Sequence, residues 1–280
     1  MLVREASDAD VTEIARLRLE ADDARVLSAA GVLYMRRTQP ERARMLVLVA
    51  EIDGAVVATA ASGLNISTTT EGASWAFVTV DSRMRRQGIG EAVGTTLLNH
   101  LQGLAAKKAT SFFRWTDEGE RWATARGWSR LSSGPLIAVD PRTVAEPSIP
   151  TGYRCVPMAQ VAPEDVYEAD RAAALDEPQP IRLDDIRLED FLREWNEPDL
   201  DLESSTAVLD SHGVVVAFTF LNAVGERGQH GFTGTLREHR GRGLATAAKR
   251  YALRTAAARG VTRVTTSNAE ENEAMRAINR

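Results

Sequence analysis

Two hydrophobic periodicities alternate along the chain, and they do so in the same order twice. Residues 46–52 form an apolar, β-branched run, Asp53-Gly54 is a tight-turn dipeptide, and 55–61 continue apolar, which is the signature of a β-hairpin. In the second half 206–209, then Asp210-Ser211-His212-Gly213, then 214–221 repeat the figure. A further strand follows each hairpin, at 75–80 and 231–236. Beyond it the period becomes helical: Ile89, Val93, Leu97, Leu101 and Leu104 mark one stripe, and Leu244, Ala248, Tyr251 and Thr255 the other. Short strands at 109–113 and 263–266 come next. Each half also opens alike, with a strand at 2–6 or 153–158 and helical patterning over 9–27 or 163–175, for which Asp8 and Pro163 are suitable starts.

Where the third strand meets the helix, the two halves match residue for residue. Arg85, Gly88 and Gly90 lie 155 positions before Arg240, Gly243 and Ala245, so both segments read Arg-x-x-Gly-x-(Gly/Ala). The pattern predicts a duplicated domain, 1–140 and 151–280, joined by a linker at 141–150 that Pro141, Pro147 and Pro150 stiffen and keep out of any ladder. Residues 176–203 hold eleven acidic side chains against three arginines, with Leu183, Ile186, Phe191, Leu192 and Trp195 on an apolar face, and read as an amphipathic helix. Phe112, Phe113, Trp115, Trp122 and Trp128 read as core aromatics.

Composition narrows the function. With 34 Lys+Arg against 39 Asp+Glu and a formal charge of −5, the chain lacks the concentrated basic charge that nucleic acid rewards. No apolar run approaches the ~20 residues that span a bilayer, and the first residues do not read as a signal peptide, so a cytoplasmic protein without membrane partners is expected. The single cysteine, Cys155, permits neither an internal disulfide nor thiolate-based zinc binding and reads as a small buried hydrophobe. No metal site is expected.

A strand that enters a helix through closely spaced glycines directs unpaired N–H groups and the positive end of the helix dipole at one point, which suits phosphate. Arg85, Arg86, Arg240 and Arg242 add charge for a diphosphate. The spacing fits neither a dinucleotide fingerprint nor a nucleoside-triphosphatase loop. At these residues the sequence resembles the GCN5-related N-acetyltransferase superfamily, in the form of a bacterial tandem-domain acetyltransferase, over nearly the whole chain. The resemblance implies an α/β (α+β) fold of two domains, each a mixed, mostly antiparallel sheet flanked by helices, with acetyl-CoA held between two splayed central strands. It implies contacts at Val78, Val80, Arg85, Arg86, Gln87, Gly88 and Gly90 in the first copy. In the second it implies Thr233, Thr235, Arg240, Gly241, Arg242, Gly243 and Ala245, with Asn268 and Asn272 nearby. The implied reaction is N-acetylation of a small-molecule amine.

The departures from the family pattern bear on mechanism. Many members protonate the leaving thiolate with a Tyr; that position is Ala123 in the first copy, with Thr116 at the Asn position, and Asn279 in the second. An amide is no workable acid near neutral pH. Glu226 and His230, near the start of the strand before the second loop, are candidate bases, and catalysis is assigned to the second domain. Rival readings are a non-catalytic acyl-CoA-binding or regulatory protein and a protein N-acetyltransferase. Alignment on the loop places the Gly-aromatic turn and last strands of the second domain beyond residue 280. Either the natural chain continues, another segment supplies them, or the fold ends early; the first reading is preferred.

Overall fold

The computed structural model describes residues 1–177, 181–270 and 272–279, and the chain divides into two compact units, Met1–Ser132 and Ser133–Arg280. In the first unit, β1 (Leu2–Glu5) leads through α1 (Val11–Ala21) and α2 (Ala29–Thr38) to β2 (Leu46–Ile52), β3 (Ala55–Leu64) and β4 (Ala73–Val80). Then come α3 (Ile89–Gly103), β5 (Lys108–Thr110) and α4 (Asp117–Thr124). The five strands form one sheet in the order β1-β2-β3-β4-β5, antiparallel throughout except for the parallel β4–β5 pair.

Alternation along these strands sorts side chains onto two faces. Leu48, Ala50, Ala58 and Ala60 pack with Ile89, Val93 and Leu97 of α3, while Val47, Val49 and Ala61 pack with Ile14 and Ala15 of α1 and Val32 of α2. The sequence pattern runs 9–27 together as one helix. The structure ends α1 at Ala21 and starts α2 at Ala29, where Ser28 accepts from the Gly31 N–H at 2.9 Å and caps it.

The second unit opens with β6 (Leu136–Val139) and continues through β7 (Arg154–Pro157), α5 (Pro163–Ala174) and α6 (Leu188–Trp195) to β8 (Thr206–Leu209), β9 (Val215–Val224) and β10 (Arg227–Thr235). It closes with α7 (Leu244–Ala258), β11 (Arg263–Ser267) and α8 (Glu273–Ile278). Strand order is β6-β11-β10-β9-β8-β7, and only β10–β11 is parallel. Helix α7 covers one face through Leu244, Ala247, Ala248, Ala252 and Ala256. On the other face, α5 and α6 pack Val166, Ala169, Ala173 and Phe191 against Phe218. Cys155 is buried, and burial pushes its thiol up to about 11, so it is a core side chain rather than a nucleophile.

Strand β6 shows how the second sheet is completed. Residues 136–139, which the sequence pattern leaves in the first domain, run antiparallel to β11, from Leu136 opposite Ser267 to Val139 opposite Val264. The edge next to β11 is therefore filled by a segment from before the linker. Gly134 allows the entry, because a Cβ there would collide with the Asn268 carbonyl. The expected core role of three aromatics also fails: Phe112, Phe113 and Trp115 are 68%, 54% and 52% exposed. The cause is that β5 stops at Thr110, leaving the residues after it outside the sheet.

Close packing of α5 on β10 depends on Gly234, where an added Cβ would lie 2.6 Å from the Phe218 ring and 2.7 Å from the Ala173 Cβ. Gly234→Ala is expected to cost about 1–3 kcal/mol by overpacking, measurable as a lower denaturant midpoint with an unchanged slope.

Candidate functional site

The junction between β10 and α7 is built on two residues with left-handed backbone. Gly241 has φ 72° and Gly243, the N-cap of α7, has φ 77°. No side chain caps this helix, so its first N–H groups point outward at the positive end of the dipole. Nothing lies within 4 Å of where a Cβ would stand on Gly241 or Gly243, so the loop presents its backbone to open space. The first domain repeats the geometry: Gly88 has φ 77° and N-caps α3 without a side-chain bond, and Arg86 adopts φ 64°.

The arginines of the second loop are held in place. Arg240 Nε donates to the Thr235 carbonyl at 3.0 Å, and its terminal nitrogen donates to Asp176 at 2.6 Å. Arg237 holds the same carboxylate through Nε at 2.7 Å. These two guanidinium groups keep the Asp176 carboxyl well below the usual carboxylate range. Arg242 donates to Tyr153 Oη at 2.6 Å and to the Glu238 carbonyl at 3.1 Å, and Tyr153 Oη lies 3.0 Å from His239 Nδ1. In the first loop Arg85 makes longer contacts, 3.4 Å to the Val80 carbonyl and 3.4 Å to Glu118, while Arg86 and Gln87 are exposed.

Above the loop the sheet opens. Strands β10 and β11 pair only from Arg227–Gln229 to Arg263–Thr265, and beyond that point β10 has no ladder partner on that side among the described residues. On its other side the register with β9 shifts by one residue between His230 and Thr233, a bulge that re-aims the strand. Thr233 and its partner Thr219 share a hydroxyl hydrogen bond of 2.7 Å, and His230 Nδ1 lies 3.4 Å from Thr219 Oγ1. His230 is buried, bonded to the Phe220 backbone, and its Nε2 has no partner. Burial, and then the charge of Lys249, push its pKa down to about 3, so the ring is neutral. Lys249, in the second turn of α7, is only 6% exposed, and burial lowers its pKa to about 8.

The corresponding positions of the first domain are apolar, although the buried Ser62 hydroxyl lies on the same face. Ala60, Ala76 and Val78 stand where the second has Thr219, His230 and Thr233, the β3–β4 register is unbroken, and Gly94 stands where α7 has Lys249. Trp122 of α4 fills the space: its indole lies 3.4–3.5 Å from the Cβ positions of Gly90 and Gly94, and Arg126 stacks on it at 4.3 Å. Val80 also abuts Gly90.

The remaining sequence-predicted residues scatter. Glu226 is exposed in the β9–β10 turn, with its carbonyl bonded to Thr262 and Arg263, so it lies at the opposite end of β10 from the loop. Asn279 donates to the Asn268 side chain, and Asn272 caps α8 by accepting from the Met275 N–H at 3.1 Å. Ala245 is half-buried in the first turn of α7. Of the acidic segment, Asp185 and Glu189 lie near Arg187, and Glu194 near Arg193, which offsets much of its charge. The sequence reading missed Lys249, Asp176 and Asp170. Asp170 is buried on α5, and desolvation followed by Glu194 and Glu177 raises its pKa to about 7. A polar residue on an otherwise apolar stripe is the one signal that marks Lys249 and Asp170.

Lys249 makes stability depend on pH in a definite direction. Its folded pKa of about 8 lies below the ordinary 10.5, so between those values the unfolded chain binds more protons and stability rises with pH. Lys249→Met is expected to stabilise the protein by about 1–3 kcal/mol at pH 7, with the gain disappearing as pH passes 10.5; chemical denaturation of both forms across that range measures it.

Comparison with known proteins shows what this fold is similar to. The model of the Acetyltransferase (GNAT) family matches residues 165–279. A tandem GNAT protein from the clavulanic acid biosynthesis pathway superposes with a TM-score of 0.73 at 20% identity, covering 99% of this chain and 93% of that one. A GCN5-related N-acetyltransferase from Sphaerobacter thermophilus gives 0.69 at 20% identity, with 97% and 87% covered. A putative acetyltransferase from Pyrococcus horikoshii gives 0.57 at 14% identity, with 99% and 82% covered. No curated protein matches in sequence. Residues 165–279 thus match the Acetyltransferase (GNAT) family model, and the chain as a whole has the fold of tandem GNAT proteins.

Proposed function

We propose that the protein is an acetyl-CoA-dependent N-acetyltransferase acting on a small amine, with its site in the second domain. The observation that carries this reading is the uncapped α7 N-terminus, open above Gly241 and Gly243 and placed where β10 leaves β11. These residues fit the cofactor: the N–H groups of the loop and first turn, including Ala245, with Arg240 and Arg242, suit a diphosphate, and the unpaired edge of β10 suits an amide-bearing arm. Acetyl-CoA, when bound, supplies an acetyl group activated as a thioester.

The protein's own groups have distinct tasks in this reading. Asp176 and the Thr235 carbonyl hold Arg240 in position before any anion arrives. His230, neutral and with Nε2 unpaired, accepts an N–H of the amine and orients it; its low pKa passes the proton on to water. Glu226 and Asn279 have no part, because the structure leaves one exposed in a turn and pairs the other with Asn268. In the first domain the intact loop supports anion binding, while Trp122 fills the space beside it.

Release of free thiol from acetyl-CoA with a panel of amines tests the reading, together with two matched variants. Gly88 and Gly243 share φ 77°, so Gly88→Asp and Gly243→Asp carry the same backbone strain, about 1 kcal/mol. Gly243→Asp places a negative charge in the loop and is expected to lose most CoA binding and turnover, whereas Gly88→Asp keeps most of both. The reverse pattern moves the site to the first domain. Stabilisation by acetyl-CoA without its consumption favours the non-catalytic binding protein instead.

A further inference from the structure

A buried charge without a partner requires a reason, because an unpaired ammonium in a core costs several kcal/mol. Lys249 is a charge of this kind in that the residue is only 6% exposed and no described carboxylate pairs with it. Its neighbours one and two turns along α7, Ala252 and Ala256, pack on Leu221 and on Val264 of β11. The ladder between β10 and β11 ends one residue after Val264. The chain turns back from β10 into α7, so one turn toward the loop from Ala252 brings Lys249 to the level where those strands have parted. There its charge acts on His230. The elements packed on this face bring Thr219 and Leu221 from β9 and His230 and Thr233 from β10, and among the described residues no carboxylate pairs with Lys249. Lys249, only 6% exposed, and His230, whose buried Nε2 has no hydrogen-bond partner, thus share the α7-facing side of the sheet beside the parting strands.

Resting on the function proposed above, the geometry points to Lys249 as the acid that protonates the departing sulfur, taking the role for which neither domain supplies a phenol. The amine nitrogen forms the new C–N bond, the C–S bond breaks with its electron pair passing to sulfur, and Lys249 Nζ–H gives its proton to that sulfur. The proton lost by the amine leaves to water, and one proton from water restores the ammonium, so the sum is amine plus thioester giving amide plus thiol. A Lys whose pKa is lowered to about 8 by burial is matched to a thiol in a way that an exposed one is not. The first domain has Gly94 here and no such donor.

Three forms of the full-length protein test this: wild type, Lys249→Met and Lys249→Arg. The first readout uses free CoA without acceptor. Wild type is expected to bind CoA partly as the thiolate, seen as ultraviolet thiolate absorbance and as proton release by calorimetry in buffers of different ionisation enthalpy. Lys249→Arg keeps that signal, since its charge remains, and Lys249→Met loses it while still binding CoA. In turnover, both variants are expected to lose about 10²-fold or more in kcat, and the fall of wild-type kcat above the Lys249 pKa disappears in Lys249→Arg, which cannot give up its proton. Removing a buried charge leaves Lys249→Met folded, which its circular dichroism checks. If Lys249→Met binds CoA and keeps the wild-type kcat, pH profile and thiolate signal, the role of Lys249 is overturned and the acetyltransferase reading stands. If wild type itself binds no CoA, both are overturned.

Discussion

Everything at the candidate site follows from how briefly β10 and β11 stay together. They exchange hydrogen bonds over three residues each and then separate, while β10 remains tied to β9 on its other edge. A strand bonded on one side only has a row of backbone groups to offer, which proteins ordinarily cover or blunt. Here the bulge between His230 and Thr233 turns β10 at the parting, and Gly241 and Gly243 bring the start of α7 to the end of that edge. An unpaired edge and an uncapped helix N-terminus together form one continuous surface of N–H donors.

The two domains show how the same backbone serves different ends. Both sheets have a parallel pair of three residues beside the central hairpin, and both helices start from a glycine at φ 77° without a side-chain cap. What differs is the chemistry of the helix-facing side. In the first domain small apolar residues and the Trp122 ring fill most of that side, with the buried Ser62 hydroxyl among them. In the second, two threonines, a histidine and a lysine occupy the same face, and the buried Nε2 of the histidine has no partner. The two copies thus share a backbone and differ in the side chains that line it.

The second sheet is also completed from outside its own repeat. β6 bonds to β11 before the proline-rich segment begins, so the repeat visible in the sequence and the sheet visible in the structure are offset. Domain boundaries drawn from composition mark where the chain changes character. Boundaries drawn by hydrogen bonds mark which strand found a free edge, and here β11 offered one to a segment some 125 residues upstream.

The sequence by itself determined the duplicated plan, the hairpins at 46–61 and 206–221, which the structure extends to 64 and 224, the glycine loops at 85–90 and 240–245, and the two long helices after them. These are local matters: period two or 3.6 in the apolar positions and glycine where backbone must turn left-handed. Tertiary structure alone decided that 136–139 pairs with β11, that Asp176 meets Arg237 and Arg240, and that Trp122 covers Gly90 and Gly94. It alone decided that Lys249 and His230 are buried together. Each of these joins residues distant along the chain, and a one-dimensional pattern carries no distance between them. The charge of Lys249 is legible from its letter, but the absence of a counter-charge among the described residues is a property of everything folded around it.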